Sequence, residues 1–213
     1  MKIPDAEAYR LLEKYGIQAA KWAFARNFQE AEIAAENLHF PIVLKVDSPD
    51  IIHKMKAGCV RTVFHRDHLK KMFEAVMSNA KKHLAKDAKR HTANVNGVLL
   101  QELVYSNVEG VQELIIGVKH DSQFGKVIMF GAGGRLTDEK DVCFRLVPLT
   151  KPDAVDMTSE PRISKLITRK DKLASVLLKV SKLAEFENIS ELDINPLMVS
   201  DKGLLAADVR IIV

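Results

Sequence analysis

Apolar positions change their spacing along the chain, and each change marks an element. Ile42-Val-Leu-Lys-Val46 is a short apolar run broken by one lysine, which reads as a buried strand. Cys59-Val-Arg-Thr-Val-Phe64 alternates as a second strand. Over about 66–89, Leu69, Met72, Phe73, Val76, Met77, Ala80 and Leu84 recur at helical spacing and predict one long helix. Two helices are expected before these strands. Asp5 caps one that runs to Tyr15 and is ended by Gly16. Asn27 with Glu30 makes a capping-box signature for another, which stops near Leu38, ahead of Pro41. After the turn Asn94-Val-Asn-Gly97 come strands over 98–104 and 111–118, a turn over 121–125, and a strand over 127–130 that enters Gly131-Ala-Gly-Gly134. A less ordered stretch over 148–162 precedes a helix over about 171–186. Strands and helices are mixed, not alternating, so the expected class is α+β in lobes, not one doubly wound sheet.

The chain ends in an expected β-hairpin. Glu191-Leu-Asp-Ile-Asn-Pro-Leu-Met-Val199 and Leu204-Leu-Ala-Ala-Asp208 flank the polar turn Asp201-Lys-Gly203. Asp193, Asn195 and Asp208 occupy positions that a core-facing strand fills with Val or Leu. Carboxylates and an amide are costly to bury unless something pairs them. Mg²⁺ is one such partner, because it takes oxygen ligands from one or two side chains and completes its sphere with water and phosphate. The alternative is that the three groups point to solvent.

Composition narrows the class. With 213 residues the chain can bury a core as one domain or two lobes. No leader and no apolar run of membrane-spanning length is expected. Two cysteines, Cys59 and Cys143, lie far apart without metal-site spacing, which suits a reducing cytoplasm. A net charge of +4 suits an anionic ligand. Nucleic acid is not expected, because the densest basic run, Lys81 to His91, has no aromatic residue to stack a base. Its charges read as a solvated helix face.

Several residues can handle phosphate. Lys45 sits inside an apolar strand, so it lies on an open face or reaches an anion. The segment from Ser48 to Val60 gathers His53, Lys54 and Lys56 around the small residues Ala57 and Gly58. Such a loop can fold over phosphates with backbone N–H groups and ammonium charges. It lacks the P-loop pattern. His53 is either a nucleophile toward phosphorus or a surface histidine. Glu102 and Glu113, each within or beginning a strand, can bind a nucleotide's amine or hydroxyls, or can be edge charges that block aggregation.

Taken in order, these segments resemble the β subunit of ADP-forming acetyl-CoA synthetase (acyl-CoA synthetase, NDP-forming), which is related to the succinyl-CoA synthetase β subunit. The resemblance rests on Phe40-Pro-Ile-Val-Leu-Lys-Val46, Ser48-Pro-Asp-Ile-Ile-His-Lys54, Val118-Lys-His-Asp-Ser-Gln-Phe-Gly125 and Val127-Ile-Met-Phe-Gly-Ala-Gly-Gly134. It continues in Lys140-Asp-Val142 with Phe144-Arg145, and in Glu191-Leu-Asp-Ile-Asn-Pro-Leu197 with Ala207-Asp208, so it spans essentially the whole chain. It implies an ATP-grasp fold whose smaller lobe is 21–97 and whose larger lobe joins 1–20 to 98–213, with the nucleotide gripped by both. It further implies that Lys45, with Lys54, Lys56 and Gly58 of the loop, contacts phosphate. Glu102, Leu103 and Val104 would receive the adenine, Glu113 would lie in the nucleotide pocket, and Asn195 and Asp208 would hold Mg²⁺. His53 matches a transiently phosphorylated histidine, and Asp193 an acidic residue that orients it. The implied reaction is acyl-CoA + ADP + phosphate ⇌ carboxylic acid + ATP + CoA. A separate CoA-binding α subunit is implied, in an α₂β₂ assembly, because this chain has no GxGxxG segment of its own. The loop departs from the family at Cys59, which replaces a glycine, and Lys56-Ala-Gly58 is closer to the succinyl-CoA synthetase form. The 135–139 stretch is one residue short, and its usual glutamate falls on Asp138 or Glu139. The rival readings are a succinyl-CoA synthetase β chain, a regulatory ATP-grasp module without catalysis, and a charge-driven RNA binder.

Overall fold

Alternation of side chains builds the first of two sheets. The computed structural model describes residues 1–85, 94–104, 110–134 and 141–213. By contact the chain divides into two compact units, one of Met1–Glu7 with Ala20–Leu103, the other of Ala8–Ala19 with Val104–Val213. In the first unit, β1 (Trp22–Ala25), β2 (Ile42–Asp47), β3 (Val60–Val63) and β4 (Gly97–Glu102) form an antiparallel sheet in the order β1-β4-β2-β3. Ile42, Leu44 and Val46 face one side and join Val98, Leu100, Phe73, Val76 and Ala80 in a core closed by α2 (Phe28–Ala34) and α3 (Leu69–Ala85). Side chains two apart on a strand share a face, so Val43 and Lys45 point to the other side. Register places Phe24, Leu99, Lys45 and Val60 in one row across the four strands. Asn27 caps α2 as expected: its Oδ1 accepts from the Glu30 N–H at 2.9 Å, and the Glu30 carboxylate accepts from the Arg26 N–H at 2.9 Å.

In the second unit, β5 (Gln112–Asp121), β6 (Gly125–Ala132), β7 (Val142–Leu146), β8 (Glu191–Ser200), β9 (Gly203–Ala206) and β10 (Val209–Ile212) form an antiparallel sheet. Its order is β10-β8-β5-β6-β7, with β9 paired to β8. One face packs on α5 (Lys170–Phe186), whose buried stripe includes Leu173, Leu177, Val180 and Ala184 at helical spacing. Lys126 Nζ donates to the carbonyl oxygens of Ala184 and Glu187, a cation at that helix's C-terminal end.

The expected boundaries move in four places. Residues 1–7 and 98–103 group with the first unit, not the larger one. β4 is the partner of both β1 and β2, and the Asp47 carboxylate accepts the backbone N–H groups of Asp5 and Ala6 at 2.8 and 3.3 Å. Second, the stretch expected to be less ordered holds α4 (Lys151–Met157), capped by a reciprocal Thr150–Asp153 box with proline in its first turn, and a 3₁₀ turn, Arg162–Leu166. Asp141 starts that turn by accepting from the N–H groups of Arg162 and Ile163 at 2.8 and 2.9 Å. Third, the long helix begins at Leu69 after a 3₁₀ turn, Arg66–His68, and its expected end near residue 89 lies outside the described residues. Fourth, β1, β7 and β10 were not anticipated as strands. Among the described residues no helix is long and apolar enough to cross a membrane.

Candidate functional site

The C-terminal hairpin brings several polar side chains of the second unit together. Leu192 and Ile194 are buried, while Glu191, Asp193 and Asn195 alternate with them on the half-buried face away from α5. Pairing between β5 and β8 steps from Ile116↔Ile194 to Leu114↔Leu197, so Asn195 and Pro196 together oppose the single residue Ile115. This is a β-bulge, a device that re-aims side chains beside functional sites. Asn195 N–H donates to the Asp208 carbonyl oxygen at 3.2 Å, which brings these two expected ligands onto neighbouring backbone. Asp208 is also felt electrostatically by Asp193. Desolvation first, then the charges of Asp208 and Glu191, push the Asp193 carboxyl above its ordinary value, against the pull of Arg210.

Arg210 therefore has to serve several carboxylates. Its Nη2 is 2.6 Å from Glu191 and 3.9 Å from Asp193. The row Arg210, Asp193, Gly117, Met129, Phe144 runs straight across five strands. It lines a cavity of about 530 Å³ that also takes in Lys119, His120, Asp121 and Glu191. Asn195 and Asp208 lie outside this lining, and each offers a hard oxygen of the kind Mg²⁺ takes. Among the described residues no group of three or more His, Cys, Asp or Glu side chains could hold a metal ion.

Glu113 is the second residue of β5, beside the glycine loop. A Cβ built on Gly134 would lie 1.6 Å from Glu113 Oε2, so the carboxylate rests directly on that glycine. Gly134 also has φ +59°, a left-handed conformation that glycine adopts without strain. Asp138 and Glu139, the alternatives for the family's glutamate, lie outside the described residues.

In the first unit the expected phosphate-handling residues separate into two groups. Lys45 is half-buried on the side of the sheet away from the helices. His53 and Lys56 are exposed on the loop, and Gly58 turns it with φ +67°, its carbonyl oxygen accepting from Asn79 Nδ2 at 2.8 Å. Lys54 points inward instead. Its ammonium pairs with the Asp5 carboxylate, and the two side chains are only 11% and 2% exposed. The structure thus gives Lys54 a buried carboxylate partner where the sequence led to a phosphate-facing ammonium. Glu102 is paired at the surface, since its Oε1 accepts from the His39 backbone N–H and lies 2.9 Å from His39 Nδ1. Burial opposes its ionisation, but the His39 contacts and the charge of Lys21 outweigh it and hold the carboxyl below its ordinary value. Leu103 N–H donates to the Pro41 carbonyl oxygen at 3.0 Å, and the division between the units falls between Leu103 and Val104.

Sequence reasoning missed Glu191, Arg210 and the cavity they border. Arg210 lies on a four-residue strand with no turn signal of its own. Its alternation with Val209 and Ile211 was the available clue.

Comparison with known proteins covers the whole chain. A family model described as an ATP-grasp domain matches residues 2–213. The chain is 37% identical over 221 residues to ADP-forming acetate–CoA ligase I of Archaeoglobus fulgidus, covering 99% of this chain and 31% of that protein. It is 34% identical over 219 residues to the β subunit of ADP-forming acetate–CoA ligase I of Pyrococcus furiosus, covering 98% of this chain and 90% of that subunit. The chain thus spans 29–31% of the length of the first curated ligases it matches, and nearly all of a β subunit. Among solved structures, dinucleotide-forming acetyl-coenzyme A synthetase 1 of Ca. Korarchaeum cryptofilum, in complex with coenzyme A and Ca-AMPCP, matches with a TM-score of 0.87 and 31% identity, covering 100% of this chain and 93% of that chain. A second structure of that enzyme, with Mg-AMPPCP and a phosphohistidine segment pointing towards the nucleotide-binding site, matches with a TM-score of 0.79 and 28% identity, covering 100% of this chain and 92% of that one.

Proposed function

Because this chain belongs to the ATP-grasp family, and within it to the β subunits of ADP-forming acetate–CoA ligases, we propose that it is the nucleotide-binding subunit of an ADP-forming acyl-CoA synthetase. The net reaction is acyl-CoA + ADP + phosphate ⇌ carboxylic acid + ATP + CoA. This chain carries the final half of it. The P–N bond of a phosphorylated His53 breaks, a P–O bond forms to a terminal phosphate oxygen of ADP, and the imidazole returns unphosphorylated. A histidine intermediate splits one transfer into two, so acyl phosphate and ADP never have to meet.

The transfer brings together anions, and the chain's own residues answer that in two places. Lys45 and Lys56 supply positive charge from the first unit. From the second, Asn195 and Asp208 would hold Mg²⁺, which would supply positive charge against phosphate oxygens. Asp193 is assigned the orienting of a phosphohistidine. Its raised carboxyl fits that work, because a partly desolvated carboxylate binds an imidazolium more strongly than a solvated one. Glu113 and the backbone at Glu102, Leu103 and Val104 contact the nucleoside. The acyl group and CoA belong to a CoA-binding α subunit, for which we propose an α₂β₂ complex in the cytoplasm.

The observation that carries this reading is the 3.2 Å backbone link between Asn195 and Asp208 beside the bulge, with Asp193 within electrostatic reach. Calorimetric titration of ADP tests it. Affinity is expected to require Mg²⁺ and to weaken about tenfold in Asn195→Ala, the equivalent of roughly 1.4 kcal/mol. Unchanged Mg-ADP affinity in that variant contradicts the assignment.

A further inference from the structure

The loop that bears His53 is pinned at three inward points. Ile51 and Cys59 are fully buried in the core of the first unit, and Lys54 is drawn into a buried carboxylate. Between and around these pins Ile52, His53, Met55 and Lys56 are exposed. Lys54 is the pin adjacent to His53, and it is held by charge, not by packing. Its partner Asp5 is 2% exposed and also lies 2.8 Å from Lys2 Nζ, while Lys2 donates to the Ser48 carbonyl oxygen at 3.1 Å, at the start of the loop. The Asp5 backbone N–H donates in turn to the Asp47 carboxylate at the end of β2, two residues beyond Lys45. The His53 side chain is thereby referenced through Lys54, Asp5 and Asp47 to the strand that carries Lys45.

We propose that Lys54 and Asp5 are positioning residues for the phosphorylated histidine: their buried ion pair sets the direction in which the His53 segment leaves the fold, and Lys54 makes no contact with nucleotide phosphate. This rests on the assignment of His53 given above. Both ammonium groups, Lys2 and Lys54, turn to the Asp5 carboxylate, while the Asp47 carboxylate takes the backbone N–H groups of Asp5 and Ala6. The backbone turn that follows depends on the same pin. Ala57 N–H donates to the His53 carbonyl oxygen at 3.0 Å, and Cys59 N–H to the Lys54 carbonyl oxygen at 2.8 Å.

The experiment compares wild type with Asp5→Asn, Lys54→Met, the double variant and Lys54→Arg. Three readouts are needed: the rate of His53 phosphorylation from saturating Mg-ATP, the Kd for Mg-ADP, and hydrogen exchange at the Ala57 and Cys59 amides. Lys54→Met leaves Asp5 beside Lys2, so that variant keeps a compensated carboxylate if Asp5→Asn does not fold. Each single variant is expected to slow phosphorylation about tenfold, to leave the Kd within twofold and to speed exchange at both amides. The double variant is expected to be no slower than the worse single, and Lys54→Arg to restore most of the rate. A tenfold weaker Kd in Lys54→Met with no change in Asp5→Asn overturns the proposal, because it shows direct phosphate contact. Unchanged exchange in both single variants overturns it as well. If wild type itself is not phosphorylated, the histidine assignment fails, and the exchange measurement still decides whether the pair pins the loop.

Discussion

Asp193 shows how much a single carboxylate can be asked to do. Desolvation, Asp208 and Glu191 raise its carboxyl above the ordinary aspartate value of 3.8. A group raised on folding binds its proton more tightly in the folded state. Its stabilising contribution is therefore complete below pH 3.8 and is lost as pH rises through the folded value. At neutral pH the ionised group works against stability. Asp193→Asn removes that charge, so we expect its Tm at pH 7 to rise by about 2 °C while phosphotransfer through His53 falls by at least tenfold. Equal melting of the two proteins between pH 5 and 8, by calorimetry, would argue that the charge is not buried at all. The hairpin's Asp193 and Asn195 drew notice in the sequence as polar residues in an apolar strand, and the structure puts them on the half-buried face, alternating with buried Leu192 and Ile194. The direction of Lys54 was not legible, because its partner Asp5 is 49 positions away. A one-residue difference between exposed His53 and inward Lys54 is a matter of loop path, which local pattern does not encode.

At the level of elements, the long and strongly periodic ones were readable. β2 and α5 lie within one residue of their expected limits, because a continuous apolar run and a helical stripe each need a partner surface to bury them. β1, β7 and β10, of four or five residues, have too few positions to establish alternation. α4 lies in the stretch expected to be less ordered, although Thr150, Pro152 and Asp153 together are a helix start. The glycine loop after β6 was visible as composition, but its reason is contact. A Cβ on Gly133 would lie 2.7 Å from the Leu114 carbonyl carbon, and one on Gly131 2.2 Å from the Asp141 carbonyl oxygen. Backbone on both sides cannot yield as a flexible side chain does. Gly133→Ala is expected to destabilise by about 1–3 kcal/mol, measured by chemical denaturation. A cost below about 0.5 kcal/mol would mean that the loop path differs from the one described.

At the level of the whole chain, the α+β class and a division into two units followed from mixed elements, but the first seven residues were placed in the wrong part. Asp47 at the end of β2 holds the start of the first helix (Asp5–Lys14) by two backbone hydrogen bonds, a long-range cap that no local signal announces. The consequence is functional as well as architectural, since the same cluster grips the His53 segment. The central claim is that this chain takes a phosphoryl group onto His53 and exchanges it with nucleotide. Incubation with Mg-ATP labelled in its γ-phosphate tests that most directly. The account predicts one acid-labile, base-stable phosphoryl group per chain, on the peptide containing His53, absent from His53→Ala and discharged by added ADP. Labelling that persists in His53→Ala, or an unlabelled wild type, contradicts it.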